Sequence, residues 1–354
     1  MYKKLKVLVT GGSVFIGKNL IRNLLNKPDH EVFNIDKNSL ENEIFKARNI
    51  TSNKNYNFFK CDLYERKDLI KDILFQIKPN LIINLAAETH VDRSIDNPDI
   101  FVNNNVIGTL NLLEASRNLY MQMPDDWQKK FLFYHAGTDE VYGSALENEY
   151  FNEESQYKPR SPYSASKASC NSLVQSWFHT YNLPIIIGNC SNNFGPFQFP
   201  EKLIPLAIYK VLTNQRIPLY GNGKAIRDWI YVDDHVNAIL RIIESGKPGD
   251  SYCIGGNNLK TNNEIIKDVC QILDKELQPT DSYINLISYV EDRPGHDKRY
   301  ALDIKKIRNN LGWQPKYSYK DALKSTVEWY LSNKKWCEQK LIHANYNCER
   351  LGLN

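Results

Sequence analysis

Short apolar runs alternate with longer amphipathic stretches along the first 190 residues of the chain. The first run, Leu5–Thr10, leads into a glycine-rich turn, and a helix is predicted over residues 17–25, followed by a strand at 31–35. Further apolar runs at 81–84, 131–134 and 184–188 predict strands with helical stretches between them. This order predicts an α/β fold whose centre is a doubly wound parallel sheet.

The alternation becomes less regular after about Asn189, where proline and glycine become denser. We expect a Rossmann-type domain over residues 1–190, a smaller mixed α/β C-terminal substrate domain over 191–335, and a tail over 336–354. The strand at 219–220 and the helix after Asp233 are expected to return to the first domain, within about 219–245. For the tail, a packed helix and a loose segment both remain open.

The N-terminal segment has the order strand, glycine turn, helix, strand and acid that is typical of a dinucleotide-binding unit. Backbone N–H groups at the start of the helix would receive a pyrophosphate, and Asp36 would bind a pair of ribose hydroxyls. A glycine turn alone can be merely structural, but the acid at this distance favours nucleotide binding. Asp36 also favours NAD over NADP because a carboxylate repels a 2′-phosphate, although Lys37 weakens that preference.

Two motifs in the middle of the chain carry candidate chemistry: residues 138–143 read Thr-Asp-Glu-Val-Tyr-Gly, and residues 163–167 read Tyr-Ser-Ala-Ser-Lys. On a helix over 163–181, Tyr163 and Lys167 lie one turn apart on the same face. The lysine cation would favour the phenolate of a tyrosine whose ordinary pKa is roughly 10. Taken alone, the Tyr163–Lys167 spacing could arise by chance, and Asp139 and Glu140 could form a solvated acidic turn. Together they predict one pocket that removes a hydroxyl proton as hydride leaves the same carbon.

These motifs resemble the extended short-chain dehydrogenase/reductase family, and more closely its nucleotide-sugar 4,6-dehydratases. The resemblance covers nearly the whole chain. Further segments that carry it are 85–95, 105–110, 189–196, 200–205, 227–231, 260–262 and 292–297.

The resemblance implies a role for each matching residue. The catalytic residues it implies are Thr138, Asp139, Glu140, Tyr163 and Lys167. The NAD-binding residues are Gly11, Ser13, Val14, Phe15, Ile16, Gly17, Asp36, Lys37, Asp62, Leu63, Ala86, Ala87, Asn105, Tyr163 and Lys167. The substrate-binding residues are His90, Thr138, Asn192, Lys202, Leu203, Arg227, Asn262, Arg293 and His296, with the two arginines on the diphosphate. His90, Asp92 and Arg93 either line the sugar site or brace its loop.

The reaction implied is the loss of water from a nucleoside-diphosphate glucose, with dTDP-glucose as the leading substrate. Tyr163 would take the 4-hydroxyl proton as C4 is oxidised, Glu140 would remove the C5 proton, and Asp139 would protonate the departing 6-hydroxyl. Hydride would then return to C6. A UDP-sugar 4,6-dehydratase, a 4-epimerase and a non-catalytic nucleotide-sugar-binding protein remain alternatives.

Two positions depart from the family pattern. Val14 stands at the middle glycine of the usual Gly-x-x-Gly-x-x-Gly turn. It brings a branched Cβ to a place where the backbone should approach the pyrophosphate closely, and a β-branched residue also resists positive φ. Either Gly12 lets the turn shift and preserves NAD binding, or the affinity for NAD is weakened. Gly137 stands where similar dehydratases often carry serine, a loss that we expect to be tolerated.

Composition narrows the remaining possibilities. The 354 residues carry a net charge of +4 with dispersed basic residues, which does not favour nucleic acid. Seven cysteines without a Cys-x-x-Cys pair indicate reduced thiols, a cytoplasmic location and no structural zinc, and no signal peptide or membrane-spanning run is apparent. By family likeness we expect a homodimer formed through a four-helix bundle of the helices near Asn105 and Tyr163. The apolar residues that permit this bundle, or ordinary core packing, are Leu110, Leu112, Leu113, Leu173 and Trp177.

Overall fold

The computed structural model describes residues 5–37, 53–349 and 351–352. Its strands are β1 (Leu5–Thr10), β2 (His30–Asp36), β3 (Tyr56–Lys60), β4 (Leu81–Asn84), β5 (Leu132–Thr138), β6 (Ile185–Cys190), β7 (Asn192–Phe194), β8 (Ile217–Tyr220), β9 (Ile226–Tyr231), β10 (Ser251–Ile254), β11 (Leu259–Thr261) and β12 (Ile287–Val290). Its α-helices are α1 (Phe15–Leu25), α2 (Lys67–Ile77), α3 (Val91–Asp96), α4 (Pro98–Phe101), α5 (Gly108–Gln122), α6 (Asp125–Gln128), α7 (Pro162–Tyr181), α8 (Leu203–Leu212), α9 (Val232–Ser245), α10 (Asn262–Leu277), α11 (Lys305–Leu311), α12 (Tyr319–Ser332) and α13 (Lys334–His343). A π-helical turn covers Val102–Ile107, and short 3₁₀ turns cover Asp139–Tyr142 and Tyr283–Leu286.

Seven parallel strands form the main sheet, in the order β10-β6-β5-β4-β1-β2-β3. The order reverses between β1 and β4, where successive strands begin to be added on opposite sides. In such sheets ligands bind in the crevice at the carboxyl ends of the strands at this reversal. The predicted Rossmann-type, doubly wound sheet is therefore confirmed, and its topology places the glycine turn after β1 at the crevice.

Both faces of the sheet are covered, which explains why its strands read as nearly continuous apolar runs. Val7 and Val9 of β1 enter the core on the side of α1 and α9, whereas Leu8 between them enters the core on the side of α2 and α5. Alternate side chains of a strand point to opposite faces, so one short apolar run stabilises two cores.

The chain beyond β6 builds a second cluster of elements. β7, β9 and β11 form a three-stranded sheet, and β8 pairs with β12 in a separate two-stranded sheet. Apolar residues of α8, α10 and α12 pack together beside these small sheets. The fold is thus a large parallel sheet accompanied by smaller mixed elements.

The predicted return of the strand at 219–220 to the large sheet is wrong. Leu219 and Tyr220 lie in β8, which pairs with β12, whereas the strand that returns is β10, beyond the predicted span of 219–245. β10 ends in three consecutive buried residues, as suits a sheet covered on both faces, while β8 alternates between buried and half-buried residues. The helix after Asp233 does lie against the large sheet, because the buried residues of α9 share a core with α1.

The last described residues are packed. Helix α13 follows α12 almost without interruption, and its Leu341 packs with Tyr346 and Cys348 against Phe199 and Leu206. Of the two possibilities that the sequence left open, the packed helix is the one observed for residues 334–343.

All seven cysteines are free and buried. Burial raises the pKa of the Cys61 thiol to about 11 and that of the Cys270 thiol to about 12. Within the described ranges, no helix is both long and apolar enough to cross a membrane.

Candidate active site

The turn after β1 is shaped by glycines. Gly11 has a φ of +69°, and a Cβ on it would lie 2.8 Å from the Cα of Ala86. A Cβ on Gly17 would overlap the carbonyl oxygen of Gly11. The turn after β1 therefore packs directly against the loop after β4, where the sheet order reverses.

Val14 adopts an ordinary extended conformation, with φ −114° and ψ 174°, and precedes helix α1. The positive φ in this turn belongs to Gly11, so the β-branched side chain of Val14 causes no backbone strain. The side chain is 44% exposed, and no side-chain hydrogen bond caps the helix at this position. The first N–H groups of α1, from Phe15 and Ile16, thus lie at an uncapped helix start, as a pyrophosphate site requires.

Asp36 ends β2 beside this turn, and its Oδ2 accepts the N–H of Ser13 at 3.1 Å. Lys37 does not lie free next to it, because its Nζ contacts Glu88 Oε1 at 2.5 Å and Asn104 Oδ1 at 3.2 Å. Because the charge of Lys37 is paired with the Glu88 carboxylate, Lys37 no longer argues against a preference for NAD over NADP. The arrangement fits the ribose of NAD better than a 2′-phosphate.

The other predicted cofactor residues border the same crevice. Asp62 follows β3 and accepts the N–H groups of Tyr64 and Glu65, which shapes the turn that carries the buried Leu63. Ala86 and Ala87 follow β4, and the Ala86 N–H donates to Thr10 Oγ1 at 3.3 Å.

Asn105 lies in the π-helical turn and joins this crevice to the catalytic helix. Its Oδ1 accepts the Glu88 N–H at 2.7 Å, and its Nδ2 donates to Ser166 Oγ at 2.9 Å. A π-helical turn shifts side chains relative to an ordinary helix and is common at functional sites. In this structure Asn105 links the loop after β4 to α7.

The catalytic motifs meet at the end of β5. Thr138 closes the strand, Asp139 and Glu140 follow in a 3₁₀ turn, and the Thr138 hydroxyl accepts the Glu140 N–H at 3.4 Å. Helix α7 begins with a capping box between Ser161 and Ser164. This cap fixes the first turn of α7, which carries Tyr163.

Tyr163 and Lys167 are both buried. Burial and the nearby Glu140 carboxylate raise the pKa of Tyr163 well above its ordinary value, while a hydrogen bond with Thr138 lowers it. Lys167 donates instead to the carbonyl of Ala136 at 2.7 Å, and burial lowers its pKa. The Lys167 ammonium is therefore held by the β5 backbone, and its predicted activation of Tyr163 stays a prediction.

Asp139 and Glu140 have different surroundings. Burial, followed by the Glu140 and Asp228 charges, raises the pKa of Asp139 well above its ordinary value. Burial also raises the pKa of Glu140, but Arg293, Arg227 and Lys202 all act in the opposite direction. Burial thus raises both pKa values, but more cations oppose the rise at Glu140, which makes Asp139 the better candidate for the acid and Glu140 for the base.

Arg227 and Arg293 approach this pair from the second cluster of elements. Arg227 lies 4.1 Å above the ring of Tyr300 and donates to the carbonyls of Ile226 and Asp297. Its Nη2 also contacts His296 Nε2 at 2.9 Å. Burial and the two arginine charges lower the pKa of His296 to about 4, so its Nε2 accepts from Arg227.

The remaining residues predicted to bind substrate lie in several different elements. His90 precedes α3, and burial lowers its pKa to about 3. Lys202 donates to the Thr89 carbonyl at 2.7 Å and is followed by Leu203, the first residue of α8. Asn192 lies in β7 with a buried Oδ1 that has no described hydrogen-bond partner. Asn262 begins α10 directly after β11, the strand that pairs with the Arg227 strand.

A family profile described as GDP-mannose 4,6 dehydratase matches residues 8–326. The chain belongs to this family. Membership of the GDP-mannose 4,6-dehydratase family confirms the expected nucleotide-sugar 4,6-dehydratase resemblance, which rested on the same strand-end and loop motifs.

Individual members of the family give the likeness more detail. A dTDP-glucose 4,6-dehydratase of Neisseria meningitidis serogroup B is 44% identical over 353 residues, which cover 98% of this chain and 99% of the relative. A crystal structure of a dTDP-glucose 4,6-dehydratase from Streptomyces venezuelae, solved with NAD bound, has a TM-score of 0.85 and 35% identity, covering 95% of this chain and 100% of that one. A Bacillus anthracis dTDP-glucose 4,6-dehydratase in complex with NAD has a TM-score of 0.83 and 36% identity, covering 95% and 99%.

Sequence reasoning about this family member missed several residues around the acid pair. Asp228 belongs to a recognised motif but was assigned no role, although its charge acts on Asp139. Tyr300, which stacks on Arg227, gave no signal because no motif or periodicity marks it. Asn189 was read only as part of a loop motif, yet its Oδ1 occupies the space where a Gly137 side chain would lie.

Proposed function

We propose that this chain is an NAD-dependent dTDP-glucose 4,6-dehydratase that forms dTDP-4-keto-6-deoxy-glucose and water. The observation that carries the proposal is the pair Asp139 and Glu140, which are adjacent in the turn that follows β5 and lie close enough to Tyr163 for their charges to act on it. Burial raises the pKa of both carboxyl groups, and the charges of three cations oppose that rise at Glu140. An elimination needs such an acid and base, whereas an oxidation alone does not.

The residues of the crevice fit NAD. Gly11 and Gly17 leave space that side chains would fill, the start of α1 is uncapped, and Asp36 lies beside the turn. These residues would hold the pyrophosphate and the adenosine ribose. When bound, NAD supplies an acceptor and then a donor of hydride, and its cationic ring adds positive charge that favours the Tyr163 phenolate.

Tyr163 opens the reaction by taking the proton of the sugar 4-hydroxyl while C4 becomes a ketone. The hydrogen bond between Thr138 and Tyr163 favours the phenolate. Lys167 holds its charge at the Ala136 carbonyl, one helical turn from Tyr163. We therefore assign Lys167 to orienting this region as well as to charge balance.

Elimination uses the two acids in turn. The 4-ketone acidifies the C5 hydrogen, which Glu140 removes as a proton. Asp139 gives its proton to the departing 6-hydroxyl, so one water leaves and a C5–C6 double bond remains. Hydride addition at C6 and proton return at C5 from Glu140 then complete the 4-keto-6-deoxy sugar and leave Glu140 as a carboxylate again. The proton that Tyr163 took from the 4-hydroxyl balances the proton that Asp139 gave up, so proton exchange with solvent restores both groups.

The alternatives have weaker support. A 4-epimerase has no use for the acid pair. The non-catalytic alternative rests on Val14, whose φ is ordinary, so only its branched Cβ beside the pyrophosphate site still supports that alternative. A UDP-sugar dehydratase remains the alternative that shares this chemistry, because the nucleotide base is the point of difference.

The test is to incubate the purified protein with dTDP-glucose and with UDP-glucose, with and without added NAD, and to follow product mass. A loss of one water from dTDP-glucose in preference to UDP-glucose is the expected result. Loss of water from UDP-glucose alone would change the substrate, and no mass change with either nucleotide sugar, even with excess NAD, would refute the reaction. Glu140→Gln serves as the matched variant, since it should permit C4 oxidation but not elimination.

We further propose that residues 191–335 act as the substrate domain and that the protein is cytoplasmic. Arg227, Asn262, Arg293 and His296 all lie in this part of the chain. The free state of all seven buried thiols supports a reducing compartment. Cell fractionation would check the location.

A homodimer through α5 and α7 is also proposed. Leu112 and Leu113 lie in the subunit's own core, so they are not available to an interface, but Met121 on α5 is 65% exposed and Leu110 and Leu173 are half-buried. We expect sedimentation to give the mass of two chains and Met121→Glu to reduce it. Ile342→Glu, at an exposed position of α13, is the matched control, and a single-chain mass for the wild type would remove the proposal.

A further inference from the structure

A buried ion pair joins helix α3 to the substrate loop 292–297. Arg293 Nη1 donates to Asp92 Oδ1 at 2.8 Å, and the Tyr220 hydroxyl donates to Asp92 Oδ2 at 2.7 Å. Asp92 is only 3% exposed. Both oxygens of this carboxylate are therefore used inside the protein, one on a cation and one on a phenol.

Helix α3 is held firmly from two sides. Ser94 Oγ accepts the backbone N–H of Tyr163 at 3.1 Å, which ties α3 to the catalytic helix. On the other side, the Gly352 N–H donates to Asp96 Oδ2 at 2.9 Å, and a Cβ on Gly352 would lie 3.0 Å from the Cα of Asp92. Asp92 is thus a fixed point rather than a mobile surface acid.

Arg293 is only partly used by the protein. Its Nε is buried and has no hydrogen-bond partner among the described residues. An unused donor on a buried guanidinium is costly unless an anion receives it. The Arg293 charge also lies close enough to Glu140 to influence the proposed base.

We propose that Asp92 is a positioning residue, which fixes the Arg293 guanidinium so that its unused N–H groups face the substrate diphosphate, while Tyr220 holds the second carboxylate oxygen. An arginine side chain without this anchor has several rotamers and must be ordered when the anion binds. A guanidinium group held by Asp92 is already ordered before the anion binds. The inference deepens the proposed function and rests on it for the identity of the anion.

The test uses isothermal titration of dTDP into the NAD-loaded protein, together with kcat and KM for dTDP-glucose. We expect Asp92→Asn to weaken dTDP binding and raise KM by about tenfold, as for a lost buried charge partner, with kcat changed less than about threefold. Asp96→Asn is the control, because it removes the same charge from the same helix but keeps a side-chain oxygen that can accept the Gly352 N–H, and Asp96 is not the partner of Arg293.

A second background separates positioning from general damage. If Asp92 acts through Arg293, adding Asp92→Asn to an Arg293→Gln variant should weaken dTDP binding no further. Equal weakening in both backgrounds would overturn the proposal. Tighter dTDP binding by the Asp92→Asn single variant would also overturn it, since Asp92 would then act only by opposing the charge of Arg293.

Tyr220→Phe keeps the test available if Asp92→Asn does not fold. It removes only the hydroxyl on Asp92 Oδ2 and should weaken dTDP binding by about two- to fivefold in the wild-type background, but not in Arg293→Gln. Wild-type protein that binds dTDP without turning over dTDP-glucose would refute the proposed reaction and leave the Asp92 test readable. If the wild type turns over dTDP-glucose and Asp92→Asn binds dTDP as tightly as the wild type, this inference alone is refuted. A wild type that binds neither dTDP nor UDP would also refute this inference.

Discussion

Replacing Gly137 with serine is expected to destabilise this chain, although similar dehydratases often carry serine there. A Cβ at this position would overlap Asn189 Oδ1 and would lie 3.1 Å from Asn171 Oδ1. The Asn189 amide is not free to move away, because Nδ2 donates to the Tyr142 hydroxyl at 2.8 Å and Oδ1 accepts from Asn171 Nδ2 at 2.9 Å. Asn189 has filled the space that the glycine leaves.

The magnitude has two parts. Overpacking in a buried region costs about 1–3 kcal/mol, and displacing Asn189 from its buried hydrogen bonds costs about 1–3 kcal/mol more. Together they predict a loss of about 2–6 kcal/mol in the free energy of unfolding, which for a chain of this length corresponds to a drop in Tm of roughly 3–8 °C.

The assay is thermal unfolding followed by differential scanning fluorimetry at one scan rate. Gly137→Ala isolates the Cβ from the hydroxyl and should give most of the loss. Gly108→Ala is the matched control, because a Cβ there would have no contact shorter than the 3.3 Å to Leu63 Cβ, and the change should stay within about 1 kcal/mol.

Asn189→Ala is the partner variant for a double-mutant cycle. The Gly137→Ser, Asn189→Ala double variant should be more stable than the two single losses predict, by about 1 kcal/mol or more. If Gly137→Ala has the wild-type Tm and the cycle shows no coupling, the argument that Asn189 and Gly137 share one packed space is wrong.

Three further variants test the acid and the cofactor crevice. Asp139→Asn keeps the shape of a protonated acid but cannot give a proton to the leaving hydroxyl, so kcat should fall about 10²–10⁴-fold. Because the pKa of Asp139 is raised in the folded protein, the wild type loses stability as the pH rises above the ordinary value near 3.8. The Tm of the variant relative to the wild type should therefore increase from pH 4 to pH 8. Val14→Gly should change the Kd for NAD, measured by titration calorimetry, less than about threefold, because glycine offers nothing at an ordinary φ and is a slightly better helix cap than valine; a large gain in affinity would show that the natural turn is impaired. Glu88→Gln should release Lys37 from its ion pair and improve NADP binding relative to NAD, and an unchanged ratio of the two affinities would mean that Lys37 has no influence on cofactor choice.

The large sheet was predictable because its strands are local in sequence and buried on both faces. β1 and β4 were placed at their observed bounds, and β5 was predicted to end at residue 134 whereas it continues to Thr138. The last residues of β5 are polar or small and border the candidate active site, so they do not continue the apolar pattern from which the strand was predicted. The strand at 219–220 was wrongly predicted to return to the large sheet for a related reason. The pairing partner of a short strand is set by distant residues, which periodicity does not reveal.

The site was predictable where motifs are contiguous. Asp139 and Glu140 stand next to each other in the chain, but the charges that distinguish their surroundings, Asp228 for Asp139 and Arg293 for Glu140, lie far along the sequence. The engagement of Lys167 by the Ala136 carbonyl is a similar case. Helical spacing predicts that Lys167 and Tyr163 lie on the same face of the helix, but it does not predict which acceptor the Lys167 ammonium binds.

The burial of all seven cysteines gives the protein a set of internal reporters of its own opening. A thiol reagent added to the native protein can react with each sulfur only when the surrounding segment opens, so the order of modification ranks local stabilities. Cys348, in the C-terminal segment, has 9% exposure, whereas Cys170 and Cys253 have none. Peptide mapping after timed labelling would therefore show whether the segment that supports helix α3 separates before the nucleotide-binding sheet does, and whether dTDP slows that first event.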